Sequence, residues 1–125
     1  MIEVYSTNIE VAANADVPFN NVVIRKGCTA VESAPATIQL NKCGVYEVSV
    51  DASALAATTI QLKRDGVLLP QAQSTGESLH FTTLIQVPTS NTTCCCTSPT
   101  TIQLETTGTA AATFINVNVC VNKLC

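Results

Sequence analysis

Apolar and polar residues take turns along much of the chain, at the two-residue period of a half-buried strand. The clearest run is Thr37-Ile38-Gln39-Leu40, followed by a glycine at Gly44. The same phrase returns as Thr59-Ile60-Gln61-Leu62 before Gly66, and again as Thr101-Ile102-Gln103-Leu104 before Gly108. Each copy predicts a short strand with Ile and Leu on one face and Thr and Gln on the other. The strand then runs into a turn where a residue without Cβ takes φ > 0 at little cost. One buried sheet face is therefore used several times over.

The other elements follow from the same pattern. Ile2 to Tyr5 predicts a first strand, broken at Ser6-Thr7-Asn8, with Ile9 and Val11 as a continuation before the turn-rich Asn14-Ala15-Asp16. Val22-Val23-Ile24 is an apolar run ended by Lys26-Gly27, and Cys28 to Pro35 is a loop or irregular strand. Val45 to Val50 is the best strand in the sequence, with Tyr46, Val48 and Val50 facing one way and Glu47 and Ser49 the other. The Ala-rich Ala52 to Ala57 is too short for a stable helix and reads as a strand end plus a turn. Asp65-Gly66 is a strong hairpin signal, with Val67-Leu68-Leu69 returning as far as Pro70. Gln71 to Ser78 reads as a polar loop, Leu79 to Val87 as a strand closed by Pro88, and Thr89 to Pro99 as a Thr/Ser/Asn loop. In the final strand, Thr113 to Val121, residues Ile115, Val117, Val119 and Val121 alternate with Asn116, Asn118 and Cys120. About eight strands separated by turns, without a convincing helix, are the mark of a sandwich or jelly roll.

Length and composition narrow the picture. A chain of 125 residues makes one domain with a core of its own. Aromatic residues are only 4%, so the core falls to Val, Ile, Leu and Ala. Charged residues are 12%, about half the share usual in soluble domains. Such a surface, covered by Thr, Ser, Asn and Gln, does little to keep copies apart and predicts assembly. A net charge of −3, with six scattered basic residues, argues against nucleic acid. The sequence shows neither a signal-peptide pattern nor an apolar run of about 18 residues, so no membrane role is expected.

The segment from Ala36 to Ser49, with Gly44-Val45-Tyr46 at its centre, resembles a signature of the complement-component and tumour-necrosis-factor-like jelly rolls. In that superfamily a strand reaches a short turn, and Gly-x-Tyr opens the next strand, which enters the core. The Asp65-Gly66 hairpin and the late apolar strand fit its order of parts, although Asn41 or Lys42 replaces the family's usual proline. The resemblance implies an all-β, single-domain jelly-roll sandwich of about eight antiparallel strands, forming a compact homotrimer. Bacterial and phage members are tip domains of spore-surface proteins and small fibre or decoration proteins on virions. The expectation is a structural, non-enzymatic virion protein, a trimeric capsid decoration or head-fibre component. It would be seated on a capsid protein by residues 1–14 as an attachment strand or arm, with 15–125 as the jelly-roll domain. The alternative is a disulfide-cross-linked binding module of a bacterial or spore surface. Tyr46, Val48, Phe81, Phe114 and Val117 are the candidates for trimer or core packing, and alternation alone does not say which.

The remaining candidates concern cysteine and histidine. The cysteines are Cys28, Cys43, Cys94, Cys95, Cys96, Cys120 and Cys125, an odd number that leaves one thiol unpaired or paired between chains. Cys28 with Cys43 is a candidate intrachain pair and Cys125 a candidate link to another subunit; free thiols are the alternative. Adjacent side chains in Cys94-Cys95-Cys96 point opposite ways, which does not suit a zinc site within one chain. His80, the single histidine, has no nucleophile motif to work with and reads as a surface or interface residue. Glu47, Asp51, Asp65 and Glu77 show no pairing for acid–base work. Asn91-Thr92-Thr93 is a glycosylation triplet of the kind common in Thr-rich loops. No cofactor is expected.

Overall fold

A computed structural model describes residues 1–25, 30–87, 95–107 and 110–124, with the backbone alone at 24–25, 31–34 and 95–99. The strands are β1 (Ile2–Val11), β2 (Asn21–Arg25), β3 (Ala30–Ala34), β4 (Thr37–Lys42), β5 (Gly44–Arg64), β6 (Val67–Val87), β7 (Cys95–Thr106) and β8 (Ala112–Lys123). Hydrogen bonding runs in the order β2-β1-β8-β5-β7-β4-β3, and β6 pairs with β5. Every pairing is antiparallel.

At 21 residues each, β5 and β6 are far longer than an ordinary strand, and they belong to two layers at once. Tyr46 to Ala54 of β5 pairs with β8, whereas Ile60 to Arg64 pairs with β7. β6 follows both halves, and the register breaks between Ser53 and Thr58. Strands that switch layers through such a break make the corners of a sandwich. A first layer, β2-β1-β8-β5-β6, is thereby folded over a second, β3-β4-β7-β5-β6. The Ala-rich stretch read as strand end plus turn is this corner. β5 passes through it as strand, and the small side chains of Ala54, Ala56 and Ala57 leave room for the bend.

The three repeats lie side by side in the second layer. Ile38 faces Ile102 across β4 and β7, and Leu62 faces Leu104 across β5 and β7. Ile38, Leu40, Ile60, Leu62, Ile102 and Leu104 are all buried in the core. Burying a side chain of this size contributes about 1.5–3 kcal/mol. Opposite them the first layer supplies Ile2, Val4, Tyr46, Val48, Val50, Val117, Val119 and Val121. One strand pattern written three times therefore builds most of one wall of the core.

Two turns anchor this wall. Asp65 and Gly66 both have positive φ, at 49° and 84°, which fits a two-residue hairpin turn of the kind whose twist matches the strands. Asp65 also ties the turn to β7: its amide donates to the Thr101 carbonyl (2.9 Å), and its Oδ1 accepts from the Thr101 amide (2.9 Å). At the β4–β5 turn the Tyr46 hydroxyl donates to the Lys42 carbonyl (2.7 Å) and accepts from the Lys42 amide (3.3 Å). The ring is buried while its hydroxyl closes the turn, which explains tyrosine rather than phenylalanine here. Tyr46→Phe strips both Lys42 groups of this partner and is expected to cost about 1–3 kcal/mol in chemical denaturation. Gly108, the glycine of the third repeat, lies outside the described residues.

Within residues 1–14, Ile2–Val11 forms β1 between β2 and β8, with Ile2 and Val4 fully buried. Several expectations are corrected. Ser6-Thr7-Asn8 does not end the strand. Asn8, at φ 52°, shifts the buried phase from Ile2, Val4 and Ser6 to Ile9 and Val11. β8 shifts beside it at Ile115-Asn116, so Ile115 faces solvent instead of sharing the face of Val117. Gln71 to Ser78 is strand, not loop, and Pro70 does not stop it. Among the described residues β6 pairs with β5 alone, and Pro70 falls in the register break between the Gln61–Gln73 and Lys63–Leu68 pairs, where no ladder bond is lost. Residues 30–34 form β3, and 95–99, expected as loop, belong to β7, while 88–94 lie outside the described residues.

Candidate functional site

Tyr46, Val48, Phe81, Phe114 and Val117 are all buried inside the sandwich. They belong to the core cluster of the single chain, and the outer faces are made of other residues.

The outer face of the first layer is built in cross-strand rows. Glu47 lies between Asn122 and Leu84, Ser49 between Cys120 and Thr82, and Asp51 between Asn118 and His80. Leu84 is 58% exposed, although Ile85 beside it is buried. Ile115 is thrown outward by the break in β8, and Leu55 stands out at the corner of β5. Leu124 is exposed where its amide donates to the Val45 carbonyl (2.7 Å). Between these side chains the face is Ser, Thr and Asn, with the carboxylates Glu3, Glu10, Glu47 and Asp51. Short hydrogen bonds fix it: Ser49 Oγ to Thr82 Oγ1 at 3.1 Å, and Asn118 Nδ2 to Glu3 Oε2 at 3.1 Å.

The second layer shows the opposite character. Thr37, Gln39, Thr59, Gln61, Thr101 and Gln103, the polar half of the repeats, are half-buried side by side. They largely satisfy one another and their neighbours. Gln103 Nε2 donates to Thr37 Oγ1 (3.0 Å), Gln39 Nε2 to Asn41 Oδ1 (2.9 Å) and Gln61 Nε2 to the Leu69 carbonyl (2.9 Å), and Thr59 meets Thr75 (2.8 Å). Apart from Val67 and Leu68 at the hairpin end, the exposed large apolar residues described lie elsewhere. Of the two faces, the first is the one suited to exclude water against another surface.

Chemistry-bearing groups are few and scattered. His80 Nδ1 lies 2.7 Å from Asp51 Oδ1, both side chains mostly in solvent. Ser74 Oγ accepts from the His80 backbone amide (3.3 Å). A triad needs a nucleophile at the base, and this pair lacks that arrangement. Among the described residues no group of three or more His, Cys, Asp or Glu could hold a metal ion. A cleft of about 410 Å³ at the corner is lined by Leu55, Ala56, Thr58, Thr75, Ala111 and Thr113, without a charged side chain.

Cys120 is a half-buried thiol on the outer face of the first layer. Burial first, then the charges of Glu3 and Glu47, push its pKa up against a smaller opposite effect of the amino terminus, which keeps it protonated and unreactive. Cys43 is half-buried at the β4–β5 turn. Cys95 and Cys96 lie in β7, Cys95 opposite Lys42. Cys28, Cys94 and Cys125 lie outside the described residues, and with them the Cys28–Cys43 pair and the Cys125 link.

No family model and no curated protein sequence matches the chain. Solved structures do. The globular domain of zebrafish complement 1qA protein superposes with a TM-score of 0.64 at 12% identity, covering 95% of this chain and 94% of that one. Rabbit GITRL gives 0.59 at 9% identity over 100% and 95% of the two chains. Murine APRIL gives 0.61 at 12% identity over 98% of each. The likeness spans whole domains and establishes the jelly-roll fold.

Proposed function

We propose that the chain is a non-enzymatic structural and binding unit that works as a homotrimer on the outside of a virion, as a capsid decoration or head-fibre component. The observation that carries this reading is the contrast between the two outer faces. Leu84, Ile115, Leu55 and Leu124 stand out on a face otherwise made of Ser, Thr and Asn with the carboxylates Glu3, Glu10, Glu47 and Asp51, while the second layer turns a largely self-satisfied Thr/Gln surface to solvent. The first face packs against other copies and the second remains outside. The jelly-roll fold supports the trimer as the arrangement, and the low share of charged residues supports an assembled state.

Immunogold labelling of intact particles from the source, with antibody raised against the purified chain, tests the placement. Label on virions, together with re-binding of purified protein to particles stripped of it, is the expected result. Label confined to bacterial or spore surfaces, with the chain recovered as disulfide-linked multimers, would replace this reading by that of a cross-linked coat module.

A further inference from the structure

One charged cluster lies apart from the association face, on the outside of the second layer. Lys63 Nζ stands 2.6 Å from Asp16 Oδ1 and 3.5 Å from Glu105 Oε1. The side chains of Lys63, Asp16 and Glu105 are only 15%, 28% and 17% exposed. They come from three segments: the β1–β2 connection, the end of β5, and β7. The backbone fixes all three. Asp16 bridges Glu105, the Val17 amide donates to the Leu104 carbonyl (2.7 Å), and the Thr106 amide donates to the Ala15 carbonyl (3.1 Å). Lys63 lies opposite Gln103 and Gln61 opposite Glu105.

The contact between Lys63 and Asp16 is unusual for an ion pair. Asp16 Oδ1 is out of solvent, and despite the 2.6 Å separation no hydrogen bond of good angle reaches it. An amine, a carboxyl group at contact distance and a second carboxylate within reach are the parts needed to form an amide.

We propose that Lys63 and Asp16 join through an intramolecular isopeptide bond, with Glu105 carrying the protons. The Lys63 ammonium passes a proton to the Glu105 carboxylate, and the neutral Nζ attacks Asp16 Cγ. The Nζ–Cγ bond forms and a Cγ–O bond of Asp16 breaks. The departing oxygen leaves as water with two protons that began on the ammonium, relayed by Glu105, which ends as it started. Ammonium and carboxylate become a neutral amide plus one water, and no oxidant or other reactant takes part. Condensation is unfavourable between free groups in water. A fixed contact of this kind supplies an effective concentration of about 10⁵–10⁸ M, which offsets that cost. Burial alone would lower the Lys63 pKa, but contact with Asp16 and the charges of Asp16 and Glu105 outweigh it and hold it above the ordinary value. The neutral amine is therefore the scarce species, and the bond forms slowly after folding. Once made, it locks the β1–β2 connection across β5 and β7.

The test is the intact mass of the full chain, fresh and after incubation at mildly alkaline pH, with tandem mass spectrometry of its digest. The expected result is a mass one water below that of the sequence and a branched peptide joining Asp16 to Lys63, with tryptic cleavage after Lys63 lost. Asp16→Asn should instead lose one ammonia, since an amide nitrogen is then the leaving group. Glu105→Gln, of the same shape, should keep the full mass while its circular dichroism stays that of a β protein. A wild-type mass equal to that of the sequence under both conditions, in a chain with intact β dichroism, overturns the proposal. So does a lost water that maps to Asp65, whose carboxyl group can close on the Gly66 nitrogen, with the Asp16 and Lys63 peptides unlinked. A Glu105→Gln chain that loses water as fast as the wild type overturns the role of Glu105.

Discussion

Phe114→Ala is expected to destabilise the folded chain by about 3–5 kcal/mol, read as a lower denaturation midpoint with an unchanged slope. Phe114 is fully buried, opposite Ile9 of β1 and Ala54 of β5, where all three strands depart from regular alternation. Its ring fills the space left as β1 and β8 change phase and β5 turns toward the second layer. Ala54 is already small, and the backbone there is committed to the bend, so the surroundings have little with which to close the cavity. A cost below about 1 kcal/mol, the level of an ordinary surface change, would mean that the corner is not packed as described.

The second large effect falls on assembly and leaves the fold alone. Leu84→Glu and Ile115→Glu each place a carboxylate on the outer face of the first layer, where the wild-type side chain is in solvent in the single chain. Little change in the midpoint of thermal unfolding of the monomer is expected. If that face packs on other copies, the new charge must be buried without a partner, a cost of several kcal/mol. Since about 1.4 kcal/mol is tenfold, each variant should weaken association by more than about a hundredfold in analytical ultracentrifugation. Gln73→Glu and Thr75→Glu, at exposed positions beside Gln61 and Thr59 on the Thr/Gln face, should associate like the wild type. Dissociation by the second pair and not the first would transfer the interface to the other layer.

How much of this was legible in the sequence depends on whether the signal is local. The repeats gave their strands, their buried face and the Asp65-Gly66 turn, because alternation and turn chemistry are properties of neighbouring residues. They did not say that the three copies lie side by side, which is a matter of topology. Gln71 to Ser78 was illegible as strand because only Ala72 in it is buried. An edge strand exposed on most of its surface has no alternation to read, and Pro70 is a stop signal only where a partner needs its missing N–H. Ile115 was assigned to the wrong face because the phase change arises from β1 and β8 together. Leu84-Ile85 shows the limit most simply. Two adjacent apolar residues cannot both face the core of a sandwich, and the pattern alone does not name the one left outside. That ambiguity hid which apolar residues reach the outer face, while the five large residues named for trimer or core packing are buried within the single chain. Lys63, Asp16 and Glu105 were beyond reach for a similar reason, since three distant charges become a cluster only when β7 is placed beside β5.

Native mass spectrometry of the wild-type chain, with and without reductant, tests the homotrimer most directly. A trimer that persists in reductant is the expected result, because the proposed contacts run through exposed apolar side chains such as Leu84 and Ile115, and Cys120 on the same face is protonated and half-buried. A monomer under both conditions at concentrations well above those of normal working solutions would contradict it, leaving the jelly roll in place but removing the assembly on which the proposed function rests.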